Sequence, residues 1–192
     1  MIYRRTNFKG AKILQTTLKI IFLSAVMILT SAVAFAEPYP TTLDNGNWVC
    51  VDGGMGVGKY ADRSSVVAEF YSPPNYRIAI DIIYVTFSDD YWRNHQTYIG
   101  SPYKVSGSQT LHFRYHWGRK ALSYLQNGTW LDWDINHDYS HAEGAPLIPY
   151  AAEVAFVSAY NMKFFGDTTG YSPVLKGYRR VIDENLYRAL DI

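Results

Sequence analysis

Cysteine is almost absent from this chain, because Cys50 is the only one among 192 residues. A single cysteine cannot form a disulfide within the chain, so a packed core must stabilise the fold. Cys50 lies in the strand-like run Trp48–Val51, where a small buried side chain is the expected role. Pairing with another chain or nucleophilic catalysis is the alternative, but no glycine elbow or helix start is there to activate the thiol.

Acidic residues are missing from the first 36 positions, which hold five of the 18 Lys and Arg residues. Residues 37–192 therefore carry 13 basic and 17 acidic side chains, a formal charge of 13 − 17 = −4. This balance lacks the positive surface that nucleic acid requires, so nucleic-acid binding is excluded. Only 18% of the chain is charged and 48% is hydrophobic, which excludes general disorder.

A long membrane-spanning run is also lacking. The apolar stretch Ile20–Val33 is shorter than the roughly 20 residues that cross a bilayer. It follows a basic segment and precedes Ala34–Ala36, a small-x-small pattern that signal peptidase accepts. We therefore predict a signal peptide over residues 1–36 and export to the periplasm, the cell surface or the medium. An uncleaved signal anchor is the alternative, and the membrane is otherwise not an expected partner.

The patterning predicts a loose lead-in over residues 37–47 and a single domain over residues 48–192, with strands first. Tyr76–Phe87 is the longest strand candidate, and its last residues are apolar on both faces, as in a central strand covered on both sides. Residues 88–109 are polar and predicted to be irregular. Three shorter strands follow, with an Asn-Gly hairpin turn between the last two: Leu111–Trp117, Ala121–Gln126 and Thr129–Ile135.

Helical spacing dominates the C-terminal part. Ala151–Phe165 is apolar nearly all round, with Glu153 among its few polar residues, and predicts a buried helix. Ser172 and Pro173 predict the start of a second helix that runs to Leu190, with an interruption at Gly177 as the alternative. The predicted fold is therefore α+β: an antiparallel β-sheet, made of N-terminal strands plus a three-stranded meander, with two C-terminal helices packed on it.

A phosphate-binding loop is suggested by Gly53–Lys59, but the pattern fails at its next position. Tyr60 stands where Ser or Thr should hold magnesium, and the following residues predict a strand instead of a helix. We interpret the glycines as a connection between two strands, and no cofactor is predicted.

Histidines and acids concentrate between the last predicted strand and the first C-terminal helix. His137 and His141 are four residues apart, and Glu143 could supply an oxygen ligand to a metal. Gly144 and Pro146 argue against a helix here, so a hydrogen-bonded loop is the alternative.

Two carboxylates lie one strand repeat apart in the same region. Asp132 and Asp134 would share a face about 7 Å apart, a separation that an acid–base pair could use. A general acid needs a raised pKa and therefore burial, which a polar strand face does not offer.

Aromatic side chains with polar neighbours form a further candidate site, a binding surface. Trp92 and His95 occur in the polar segment after the longest strand, Trp130 is on the last meander strand, and Tyr139 follows it. Trp and Tyr are favoured anchors at interfaces. The alternative is that Trp92 folds back on the core.

Part of the chain resembles a known domain family. Trp48-Val49, then Tyr60-x-Asp62-x-Ser64-Ser65-Val66 and the Ile-rich strand, covering about Trp48 to Val85, resemble the surface-adhesin protein E-like domains. The whole chain is similar to a family of uncharacterised exported bacterial proteins that share stretches such as Asp138–Gly144 and Tyr171–Val174. The adhesin resemblance implies an antiparallel sheet with a C-terminal helix, surface display and binding of host or matrix proteins. No catalytic residues follow from it.

The sequence thus favours an exported, non-enzymatic domain, at the surface or in the envelope, that binds a macromolecular partner such as a protein or glycan. A metal- or carboxylate-dependent hydrolase of envelope material, built on the acids and histidines of residues 132–143, is the first alternative. A structural envelope component is the second. The oligomeric state is left open.

Overall fold

The computed structural model describes residues 39–94, 103–136, 147–172 and 176–192. The predicted signal peptide lies outside these residues. None of the helices in the described part of the chain has the length and apolar character to cross a membrane. The main sheet has seven strands: β1 (Thr42–Leu43), β2 (Trp48–Gly54), β3 (Val57–Ser72), β4 (Asn75–Phe87), β5 (Tyr103–His116), β6 (Ala121–Gln126) and β7 (Thr129–Trp133).

The seven strands follow one another across the sheet in sequence order, and every neighbouring pair is antiparallel. The predicted antiparallel sheet and its meander are therefore confirmed. β4 is the middle strand, as its apolar faces predicted. Asn127 and Gly128 connect β6 to β7 with φ angles of 50° and 77°, the positive values that a two-residue hairpin turn requires.

The described residues include three α-helices: α1 (Asp89–Asn94), α2 (Leu147–Tyr160) and α3 (Glu184–Ala189). A second, two-stranded sheet pairs β8 (Thr169–Ser172) with β9 (Gly177–Arg180). Helices thus accompany a predominantly antiparallel sheet, which agrees with the predicted α+β class.

A first core lies between one face of the sheet and α2. Alternate side chains of β4 are buried in it, namely Tyr76, Ile78, Ile80 and Ile82. The Tyr76 and Phe156 rings lie 5.2 Å apart. The Tyr115 hydroxyl donates a hydrogen bond of 2.8 Å to the carbonyl oxygen of Ala152, which ties β5 to α2. Burial of this face explains why α2 carries so few polar residues.

A second core covers the opposite face of β4 near its C-terminal end. Val85 and Phe87 are buried there with Tyr39, Tyr60 and Tyr91. The second half of β4 is thus buried on one face at Val85 and Phe87 and on the other face at Ile82, whereas Thr86 is exposed. Tyr39 belongs to the segment that was expected to be loosely held, yet its ring closes this core. Its neighbour Pro40 accepts a 3.0 Å hydrogen bond from the Tyr60 hydroxyl.

The glycine-rich run forms the hairpin between β2 and β3, as interpreted from the sequence. Met55 and Gly56 make its turn, with positive φ angles of 52° and 81°. Gly53 passes so close to Tyr39 that a Cβ atom there would lie 2.4 Å from the ring. The glycines therefore serve the turn and the second core.

Residues 88–94 and 103–109 differ from the prediction of irregular structure over residues 88–109. α1 begins at Asp89, and β5 begins at Tyr103 instead of Leu111. The early part of β5 is mostly polar, and its alternation of apolar and polar residues ends at Gly107, so its sequence indicates a strand only weakly. Its backbone pairs with the second half of β4, from Phe87↔Tyr103 to Ile82↔Gln109, and this pairing determines its conformation.

The C-terminal helices are shorter than the sequence indicated. α2 ends at Tyr160, where Asn161 takes a positive φ of 53° and its N–H still donates to the Val157 carbonyl. The second predicted helix, from Pro173 to Leu190, is wrong in its first part, because Gly177–Arg180 forms β9. Asp183 is the true N-cap of α3, since its carboxylate accepts hydrogen bonds from the N–H groups of Asn185 and Leu186.

Candidate functional site

The face of the sheet turned away from α2 presents a row of side chains across five strands. Directly paired positions share a face of the sheet. Arg77 of β4 is paired with Phe70 of β3 on one side and with Arg114 of β5 on the other. The row continues through Ser123 of β6 to Asp132 of β7. We call this surface the outer face.

A groove of about 430 Å³ lies on the outer face. It is lined by Phe70, Asn75, Tyr76, Arg77, Arg114 and Tyr115. Tyr76 and Tyr115 are almost fully buried, with rings that pack against Phe156 of the first core. The walls are therefore formed by Phe70, which is 50% exposed, together with Asn75 and the two arginines.

The two arginines of the groove have different partners. Arg77 Nε lies 3.0 Å from Glu69 Oε2, and the other oxygen of Glu69 lies 2.9 Å from His112 Nδ1. The Arg114 guanidinium instead stacks over the ring of Trp130, 3.8 Å from its centroid. Among the ion pairs of the described residues, none involves Arg114.

Trp130, predicted as a binding residue, therefore lies beside the groove. Trp92 does not join it, because its ring packs against Tyr39 and Phe87 at 5.2 and 5.7 Å in the second core. Phe87 is ten residues beyond Arg77 along β4, about 33 Å at the rise of a strand. A common binding surface of Trp92 and Trp130 is thus not formed, and His95 and Tyr139 lie outside the described residues.

The predicted metal ligands His137, His141 and Glu143 also lie outside the described residues, so the metal site stays a prediction. In the part of the chain that the structure describes, no group of three or more His, Cys, Asp or Glu residues is placed to hold an ion.

Asp132 and Asp134 lie on the exposed surface of β7 and just after it. Asp132 accepts a 2.7 Å hydrogen bond from the Ser123 hydroxyl, and Asp134 accepts one of 2.8 Å from the Asn136 N–H. A general acid needs burial to keep its proton near neutral pH. Exposure of both carboxylates therefore gives no support to an acid–base pair.

Glu153 of α2 is the most unusual titratable group of the described chain. Its side chain is 0% exposed. The Tyr187 hydroxyl donates to its Oε1 at 2.7 Å and the Phe165 N–H to its Oε2 at 3.0 Å. Burial raises the pKa of Glu153 to about 7. The two hydrogen bonds act in the opposite direction, because they favour the charged form.

Other polar groups of this network join the same elements. The Tyr187 hydroxyl accepts a 3.1 Å hydrogen bond from the Gly166 N–H. The Lys120 ammonium donates to the Phe164 carbonyl at 2.5 Å and lies 3.6 Å from the centroid of the Trp117 ring. Burial lowers the pKa of Lys120. Because Glu153 is enclosed by the core, a ligand cannot reach it, and the network connects α2, α3 and the segment between them.

Sequence reasoning missed Phe70, Arg77 and Arg114 as site residues. No local sequence pattern marks any of the three within its own strand. Only the register of β3, β4 and β5 brings them together. Glu153 did have a signal, because it is the one acid in an otherwise apolar helix, but its partner Tyr187 is distant in sequence.

The outer face offers groups that can bind a ligand. Two guanidinium groups beside an exposed aromatic ring suit an anionic ligand.

The chain matches no protein-family model, no curated protein and no solved structure.

Proposed function

We propose that this protein is an exported, non-enzymatic domain that binds a macromolecular partner at the cell surface or in the envelope, and that the outer face is its binding surface. One observation carries the proposal: the groove with Phe70 on one side and a pair of opposed arginines on the other. In this proposal the two C-terminal helices, α2 and α3, cover one face of the sheet and leave the part of the other face around Arg77 and Arg114 for the partner.

The composition of the outer face supports this role. Arginine and aromatic residues are enriched at interfaces and supply much of the binding energy there. Phe70 is half exposed, and Val67, paired with Ala79 on the same face, is also exposed. Together with Trp130 these side chains extend the apolar surface on both sides of the two arginines.

The hydrolase alternative has no comparable support. It depends on Asp132 and Asp134, which are exposed, and on residues outside the described part of the chain. The domain that we propose therefore acts by adhesion and not by catalysis, in keeping with the resemblance to surface-adhesin domains.

Site-specific photocrosslinking on intact cells tests the proposal. A photoreactive amino acid replaces Ser123, in the row of the outer face, or Met55, which is 98% exposed in the hairpin between β2 and β3. We expect a discrete high-mass adduct from position 123 and none from position 55. Arg114→Gln should remove the adduct. Equal adducts from both positions, or none from position 123, would contradict the proposal.

A further inference from the structure

We infer that the groove on the outer face binds a uronate, the carboxylate-bearing sugar unit of an acidic polysaccharide, with the carboxylate held between Arg77 and Arg114. This inference rests on the proposed function, because it names the partner of the same surface.

The opposed arginines are the first argument. Residues paired directly across antiparallel strands have Cα atoms about 4.5–5.5 Å apart. Like charges in such a pair repel each other, so the pairing of Arg77 with Arg114 is unfavourable unless nearby anions compensate the two charges. Glu69 neutralises one of the two charges through Arg77 Nε. One positive charge is therefore left, which matches a single carboxylate.

The orientation of Arg114 is the second argument. Its planar face lies on the Trp130 ring, which holds the guanidinium in place. The N–H groups at the edge of a stacked guanidinium remain able to bind a carboxylate through two parallel hydrogen bonds. A site of this kind is organised before the ligand arrives, which lowers the entropic cost of binding.

The walls of the groove favour a sugar over a peptide. Peptides that bind to sheets pair with free backbone groups at an edge. Here the backbone around Arg77 already pairs with β3 and β5, so only side chains face a ligand. Phe70 offers an apolar surface for the C–H face of a sugar ring, and the Asn75 amide can bond to hydroxyl groups. The volume of about 430 Å³ lies within the roughly 300–1,000 Å³ of small-ligand sites.

The net charge of residues 37–192 further restricts the class of polysaccharide that we expect the groove to bind. Residues 37–192 carry 13 basic and 17 acidic side chains, a net charge of 13 − 17 = −4 that repels a densely sulfated polymer at long range. A polymer with one carboxylate per sugar unit meets less repulsion, and the two arginines then supply local attraction. We therefore place the ligand among carboxylated and not sulfated polysaccharides.

Calorimetric titration with trigalacturonate tests the inference. The protein is expressed from its full coding sequence and purified in the form that the expressing cell produces. Trigalacturonate should bind, whereas the same trisaccharide with methyl-esterified carboxyls should bind at least tenfold more weakly. Arg114→Gln should also weaken binding at least tenfold. Arg179→Gln, on the exposed hairpin of β8 and β9, is the matched control and should change affinity less than twofold.

Three results would overturn the inference: no binding of trigalacturonate, equal binding of its methyl ester, or equal binding of a hexa-aspartate peptide. Phe70→Ala provides a second variant in case Arg114→Gln unfolds, and it should also weaken binding about tenfold. If trigalacturonate fails while the adduct at position 123 persists, the ligand class is wrong and the proposed function stands. If both fail, neither stands.

Discussion

The Tyr187 hydroxyl donates a 2.7 Å hydrogen bond to Glu153, which joins α3 to α2 inside the first core. The same oxygen accepts from the Gly166 N–H, so one side chain connects three segments that are distant in sequence. Buried polar groups of this kind stabilise a structure only when each has its partner. Three predictions follow from this contact.

The stability of the protein should fall as the pH rises from about 4.5 to about 7, because of Glu153. Its pKa is raised from 4.5 to about 7 in the folded state, so the folded protein keeps a proton that the unfolded chain has lost. The stabilisation that Glu153 provides is complete below this pH range and is lost above it. The free energy of unfolding falls by about 1.4 kcal/mol for each pH unit between the unfolded and folded pKa values. Urea unfolding at several pH values measures it.

Glu153→Gln should make the free energy of unfolding less dependent on pH, since an amide does not titrate. The fall in this free energy between pH 5 and pH 8 should be smaller by roughly 2–3 kcal/mol. Asp90→Asn is the control, because Asp90 is an exposed acid on α1, an element that does not contain Glu153 or Tyr187. It should leave the slope unchanged. An equal slope for the original protein and Glu153→Gln would contradict the assignment.

Tyr187→Phe should destabilise the protein by about 1–3 kcal/mol, because the carboxylate of Glu153 and the N–H of Gly166 both lose a buried partner. It should also raise the pKa of Glu153 further, since a donor to the charged form is gone. Tyr178→Phe, at a side chain that is 75% exposed, should unfold at the same urea concentration as the original protein. Identical midpoints for all three proteins would refute the role of Tyr187.

Gly170→Ala should also destabilise, by about 1–3 kcal/mol through overpacking. A Cβ at Gly170 would lie 2.2 Å from the carbonyl oxygen of Ile135, and backbone cannot move aside as a side chain can. Gly107→Ala is the control, because the nearest atom to its Cβ would be 4.0 Å away. Thermal unfolding compares the two variants, and a smaller loss at Gly170 than at Gly107 would show that β8 does not approach Ile135.

Phe70→Ala should separate binding from stability. Half of this side chain is already in contact with solvent, so its removal should cost less than about 1 kcal/mol of unfolding free energy. Binding of trigalacturonate should weaken about tenfold, or about 1.4 kcal/mol. Tyr178→Ala removes another exposed ring, away from the groove, and should change neither quantity. Unchanged binding by Phe70→Ala would exclude it from the site.

Much of the sheet was predictable because its signals are local. The alternation of Tyr76–Phe87 and the Asn127-Gly128 turn each specify their element within a few residues. Tyr103–Gln109 carries only a weak signal of this kind, and it is a strand through its pairing with β4. Gly177–Arg180 has spacing compatible with a helix, yet it pairs with β8.

The candidate site was harder to predict for a related reason. Arg77 and Arg114 oppose each other only in one register, and a shift of one residue would turn Arg114 to the other face. That register includes an irregularity between Tyr84 and Val85, which the sequence does not show. The placement of Trp130 over Arg114 depends on the same pairing, continued through β6.

The strict order of β1 to β7 has a consequence for synthesis. Each strand pairs with the one that precedes it in the chain, so the sheet can assemble from its N-terminal end as the chain emerges into the compartment where it folds. The apolar face of Ile78 and Ile80 then stays uncovered until Leu147–Tyr160 has been made. A chain that stops after β7 would keep this face in water and would be prone to aggregate.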